Sequence, residues 1–173
     1  MIAWLSDVFS SSSDKARLIA IVVSAVIAIL VLLLNQHFTT KRARKEILIK
    51  KIEEAYQSAL AYERHARNLL SAINKGRRDE SGNYYLDQAL IDAMNEEVEK
   101  IEMIIGLYFP SILFNKNNYY AGPTLPVLEI AVKEKRVSEQ EAIDASINTK
   151  ENIRKNAAEI KALCTNLMKK YRH

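Results

Sequence analysis

An unbroken apolar run near the start of the chain gives way to a long amphipathic remainder. Leu18–Leu34 reads LIAIVVSAVIAILVLLL, seventeen residues without charge, Gly or Pro, with Ser24 its only polar side chain. A bilayer's hydrocarbon takes about 20 mostly apolar residues as a helix, with roughly 17 as the lower limit. Ala16 and Phe38 lie near the ends and can lengthen the run, so the pattern predicts a transmembrane helix over residues 16–38. Residues 1–15 then form an extracytoplasmic or interfacial segment. Trp4 in it suits the headgroup level, and Ser13 or Asp14 is the natural helix N-cap.

Beyond Thr39 the period is helical. Ile49, Ile52, Tyr56, Ala59, Glu63, Ala66, Leu70 and Ile73 recur at three- and four-residue steps, a seam ending near Lys75. The polar, Gly-containing stretch KGRRDESGN (Lys75–Asn83) is a loop. A second helix follows over about Tyr84–Phe109, with Leu90, Met94, Val98, Ile101, Ile105 and Tyr108 facing inward and Pro110 ending it. Ser111–Gly122 is apolar and aromatic without a period. Thr124 is positioned to cap a short helix, about Leu125–Arg136, with Pro126 in its first turn. Ser138 and Glu141 spell a capping box that opens the last helix, running to about Tyr171. Its seam is Ile153, Ala157, Ile160, Cys164, Leu167 and Tyr171, weakening toward Ser146 and Lys150.

The expected fold is therefore all-α: one N-terminal transmembrane helix, then an antiparallel helical bundle of three long helices and one shorter helix over residues 39–173. Four Gly and three Pro among 173 residues agree with a helical chain. Charge bears on which helices pair. Residues 39–78 hold eleven basic and four acidic side chains, and residues 79–110 hold one basic and eight acidic. Opposite signs predict that the first two cytoplasmic helices attract each other, leaving little free basic surface beyond the membrane-proximal cluster.

Flanking charge also orients the span. Lys41, Arg42, Arg44, Lys45, Lys50 and Lys51 crowd its C-terminal side, against Lys15 and Arg17 on the other. The positive-inside rule places the helical domain in the cytoplasm and the N-terminus outside. A cleaved signal peptide would need a basic n-region and a small-x-small exit. This n-region is neutral and the run exits into Asn35-Gln36-His37-Phe38, so an uncleaved anchor is expected. Trp4, Lys41, Arg42, Arg44 and Lys45 are the residues expected at the membrane interface, where anionic headgroups favour each basic residue by about 1 kcal/mol. Nucleic acid is not an expected partner of this cluster, because it lacks aromatics for base stacking.

Within the span, Ala20, Ser24 and Ala28 recur every four residues. Small residues at this spacing let two helices approach closely in lipid, so they are candidates for self-packing in a homo-oligomer.

Chemistry-bearing groups are sparse. One cysteine, Cys164, excludes an internal disulfide and suits a reducing compartment. With three scattered His, no zinc site of usual spacing can be written, and no cofactor is expected. Glu63 and Arg67 form an i,i+4 ion pair, and His65 lies on another face. Glu96, Glu97 and Glu99 lack the Glu-x-x-His pattern of a di-metal bundle. There is no Walker A loop, nucleophile elbow or zincin motif. The Arg-x4–6-His motif of HEPN ribonucleases is also missing before His37, His65 and His173. The chain is not expected to be an enzyme. Ile112, Phe114, Tyr119 and Tyr120 are expected to pack under the bundle or to present a partner surface.

The anchor, the basic run KRARKEILIKKIEEAY (Lys41–Tyr56) and IEMIIGLYFP (Ile101–Pro110) together resemble a loose set of small, mostly uncharacterised bacterial single-pass inner-membrane proteins with a cytoplasmic helical domain. Such proteins often look like components of antiphage defence or toxin systems. The general plan is similar to the membrane-pore accessory protein of some RNA-targeting CRISPR systems. The resemblance implies a membrane effector that oligomerises and perturbs the inner membrane. The other reading is a membrane-tethered adaptor that recruits a cytoplasmic protein partner.

Overall fold

The computed structural model describes residues 12–75, 87–132 and 138–172. Of these, 91% are helical and none lies in a strand. The elements are α1 (Ser12–Asn74), α2 (Gln88–Tyr108), a 3₁₀ turn (Lys116–Asn118), α3 (Ala121–Thr124), α4 (Pro126–Val132) and α5 (Glu139–Arg172). The chain divides into two compact units between Glu46 and Ile47, a boundary that falls inside α1.

In the first unit the described chain is entirely α1. Its apolar run is helical because helix satisfies every backbone N–H and C=O within one segment, whatever the surroundings. The polar stretch Asn35–Thr40 does not interrupt it. Thr40 Oγ1 donates to the Gln36 carbonyl at 2.9 Å, folding the hydroxyl back onto the turn before it. Ser13 and Asp14 lie inside the helix, so neither is the cap that the sequence pattern predicts. Trp4 lies outside the described residues.

The second unit has one apolar core. α1 contributes Ile52, Ala55, Ala59, Tyr62, Ala66, Leu69, Leu70 and Ile73. Ile52/Ala59/Ala66/Ile73 is a seven-residue set of the predicted seam, whereas Ala55/Tyr62/Leu69 largely replaces the predicted Ile49/Tyr56/Glu63/Leu70 set, of which Leu70 alone is buried. The second set exists because α1 is touched from more than one side: Asn156 of α5 donates to the Tyr62 hydroxyl at 3.3 Å, while Lys51 lies 5.6 Å from the Tyr108 ring centre of α2. Predicted seam members Ile49, Tyr56 and Glu63 are only half-buried.

Asp87 caps α2, its carboxylate accepting from Ala89 N at 3.1 Å. Met94, Val98, Ile101, Ile104 and Ile105 are buried; Leu90 and Tyr108, at the ends of the expected seam, are half-buried. The helix ends at Phe109, whose N–H reaches Ile105 O at 2.8 Å before Pro110. Thr124 does not cap α4. Its hydroxyl donates to the Tyr120 carbonyl at 2.6 Å, closing α3, and Pro126 is the first residue of α4.

At the start of α5 the capping box is present: Ser138 N donates to Glu141 Oε2 at 2.9 Å and Glu141 N to Ser138 Oγ at 3.3 Å. The buried line then runs through Ala145 and Thr149 into Ile153, not through Ser146 and Lys150. Thr149 Oγ1 accepts from Val127 N at 3.1 Å, so a polar residue is buried here because α4 needs an acceptor.

Ile101 is fully buried and Leu113 fully exposed. Ile101→Ala should therefore destabilise the full chain by about 2–5 kcal/mol, and Leu113→Ala should stay within about 0.5 kcal/mol. Urea unfolding in detergent followed by near-UV circular dichroism measures both.

Candidate functional site

The apolar face of α1 is the most unusual surface of the molecule. One window of this helix is long and apolar enough to cross a membrane, and none of that window is buried among the described residues. Ile21 and Leu32 are each 65% exposed, and Val22, Val26, Leu30 and Leu34 are all at least half exposed. Burying such side chains is worth about 1.5–3 kcal/mol each, so water is the wrong solvent for this segment. Ala20, Ser24 and Ala28 are exposed along it, as their spacing predicts for one helix face. Lys41, Arg42 and Arg44 are exposed, and Lys45 is half-buried.

In the second unit, the strongest polar cluster centres on Glu63. Its carboxylate accepts from Arg67 one helical turn on and from Lys161 of α5. The Arg67 partner is predictable from i,i+4 spacing; Lys161 is 98 residues away and carries no local signal. The Lys161 hydrogen bond, with the charges of both partners, holds the Glu63 carboxyl below the ordinary carboxylate range. Beside it, burial raises the Tyr62 phenol, opposed by its hydrogen bonds to Asn156 and Thr124.

The expected attraction between the first two helices is not realised as ion pairs. Among the described residues the ion pairs that join different elements are Lys161–Glu63 and Lys116–Glu102. Lys51 instead bonds Glu54 within α1 at 2.6 Å. That hydrogen bond lowers the Glu54 carboxyl, with a smaller contribution from the charge of Lys100 on α2.

The segment between α2 and α3 is committed to its own fold. Ile112, Phe114, Tyr119 and Tyr120 all pack against the core. Phe114 and Tyr119 stack with ring centres 5.1 Å apart. The Tyr120 hydroxyl donates to Glu99 at 2.9 Å, and the Tyr119 hydroxyl lies 3.4 Å from Glu159. Leu113 alone among these apolar residues points fully into solvent.

Cys164 is buried on α5 at the base of a groove of about 610 Å³ walled by Ile52, Tyr56 and Met168. Burial pushes its thiol up to about 11, which removes thiolate at neutral pH. Among the described residues no three His, Cys, Asp or Glu side chains gather as a metal ion requires. Ser58 Oγ, His65 Nδ1 and Glu97 Oε2 are, among the described residues, buried without a hydrogen-bond partner.

No family model, curated protein or solved structure matches this chain.

Two measurements follow from this geometry. Glu63→Gln should cost about 1 kcal/mol at neutral pH. Because the native carboxyl titrates below its ordinary value of 4.5, that contribution is complete above this value and lost as pH falls through the lowered native one. The difference between wild type and variant should shrink on acidification, as read from urea midpoints between pH 7 and the acid limb. In native protein at neutral pH, Cys164 should resist iodoacetamide, becoming fully labelled only in denaturant; intact-mass spectrometry checks this.

Proposed function

We propose that this chain is a single-pass membrane protein that acts without catalysis, as an effector whose anchors assemble and perturb the bilayer. The observation that carries the reading is the apolar segment of α1, helical and unburied over a length that matches the hydrocarbon. Ala20, Ser24 and Ala28 support self-association, since small side chains at four-residue spacing permit close helix contact in lipid. One span cannot enclose a pore, so bilayer damage requires several copies. We read Lys41, Arg42, Arg44 and Lys45 as the cytoplasmic flank, which puts the N-terminus outside an inner membrane. Defence or toxin systems are the setting this plan suggests.

The Ile47–His173 unit is read as an antiparallel bundle. Its cross-helix hydrogen bonds support this: Tyr62 meets Asn156, Glu63 meets Lys161, and Asn74 meets Ser146, so partners broadly descend along α5 as they ascend α1. The adaptor reading is weaker. Its proposed surface at Ile112, Phe114, Tyr119 and Tyr120 is half-buried and hydrogen-bonded internally, which leaves Leu113 as the available apolar group there.

Ser24→Leu with Ala28→Leu separates acting from tethering. The double variant should remain in the membrane fraction, lose crosslinked multimers and spare the membrane potential that wild-type expression collapses. A wild-type chain that stays monomeric in detergent and leaves the potential intact would sink the effector reading.

A further inference from the structure

Four cations gather on α1 and α5, and among the described residues only Arg67 of the four has an ion-pair partner, Glu63. Arg67 and Lys75 of α1 and Lys150 and Arg154 of α5 line one groove of about 630 Å³. On α1, Arg67, Ser71 and Lys75 repeat every four residues and share a face, as do Lys150 and Arg154 on α5. The two faces are brought together by fixed contacts beyond either end. Lys161 holds Glu63 on one side, and Ser146 Oγ donates to Asn74 Oδ1 at 2.8 Å on the other. The packing thus places like charges together against their own repulsion.

Among the described residues, little offsets that charge. Glu63 is the carboxylate bonded at this site, and it is shared between Arg67 and Lys161. Among the described residues Lys75, Lys150 and Arg154 make no ion pair; Glu151, beside Lys150, is exposed. The floor is a different material. Leu70 and Ile153 are buried beneath the cations and form an apolar base. Ser71 and Asn74 add neutral polar groups at the wall. A volume of this order is that of a small-molecule site.

Cationic walls over an apolar floor fit a ligand that is a polyanion at one end and a flat ring at the other. We propose that this groove binds a nucleoside triphosphate. The arginine guanidinium forks match phosphate oxygens in pairs, and the lysines add point charge. Three to four negative charges on the ligand answer the three unpaired cations Lys75, Lys150 and Arg154, with Arg67 already held by Glu63. A nucleic-acid strand is a poorer match, because strand grooves add aromatic platforms for successive bases and, among the described residues, no aromatic side chain lines this one. The groove lies wholly within the Ile47–His173 unit, so the proposal stands whether or not α1 crosses a membrane.

Isothermal titration of the full chain in detergent, at about 50 mM salt to limit screening, tests the assignment. The probes are ATP, GTP, pyrophosphate, adenosine and a single-stranded oligonucleotide. Saturable binding of ATP or GTP is expected, with pyrophosphate weaker and adenosine silent. Lys150→Glu with Arg154→Glu should weaken nucleotide binding at least about tenfold, the loss of charge-assisted contacts to phosphate. Lys150→Gln, which keeps the helix and removes one charge, should give an intermediate loss, and unfolding midpoints confirm that both variants fold. Three results overturn the proposal: no saturable nucleotide binding at about 1 mM, where even weak affinity is visible; nucleotide affinity unchanged in the folded variants; or pyrophosphate or the oligonucleotide binding more tightly than ATP and GTP.

Discussion

A helix of Ile, Val and Leu that none of the described residues covers sets the terms for this molecule. The free energy of leaving those side chains in water exceeds what a small domain has to spare, since net stability is about 5–15 kcal/mol. By length and composition the run could lie in a membrane. Backbone hydrogen bonds close inside the helix, so nothing in the run resists a hydrocarbon environment. The basic residues that follow, Lys41 to Lys51, mark where such an environment would have to end.

The Ile47–His173 unit solves the opposite problem with ordinary means. Its core is mostly aliphatic with Tyr62 and Phe109 buried in it, and several of the polar groups it buries are answered: Tyr62 by Asn156, Thr149 by Val127 N. Glu63 does the most to connect distant parts of the chain. It meets Arg67 on its own helix and Lys161 on α5, so one carboxylate ties a local pair to a long-range contact. Polar links of this kind add little net stability but disfavour other registers of the same apolar seams, since a shifted α5 would leave the Glu63 charge half-buried with one partner fewer.

Much of this was legible in the chain, and the failures have physical causes. Helix existence, the stop at Pro110 and the Ser138–Glu141 box are local signals, set by backbone sterics and capping within four residues. Burial is not local. The period places Ile52, Ala59, Ala66 and Ile73 correctly, but Ala55, Tyr62 and Leu69 became core because α1 has more than one neighbour. Summed charge predicted which helices attract; it could not say that Arg67 and Lys75 would line a groove with Lys150 and Arg154. Thr124 shows the same limit at short range, where its hydroxyl had two backbone ends to serve and took the earlier one. Of the residues singled out for function, Ala20, Ser24 and Ala28 stand exposed, whereas Ile112, Phe114, Tyr119 and Tyr120 are used by the fold itself.

The sealed thiol of Cys164 makes the chain a ready-made blank for chemical mapping. Its only cysteine is out of reach of polar reagents, so a cysteine introduced elsewhere reports without the native one being removed. Walking single cysteines from Lys15 through Lys45 and labelling intact cells with a reagent that cannot cross lipid would read out, position by position, which side each residue faces. The protein needs no redesign for this.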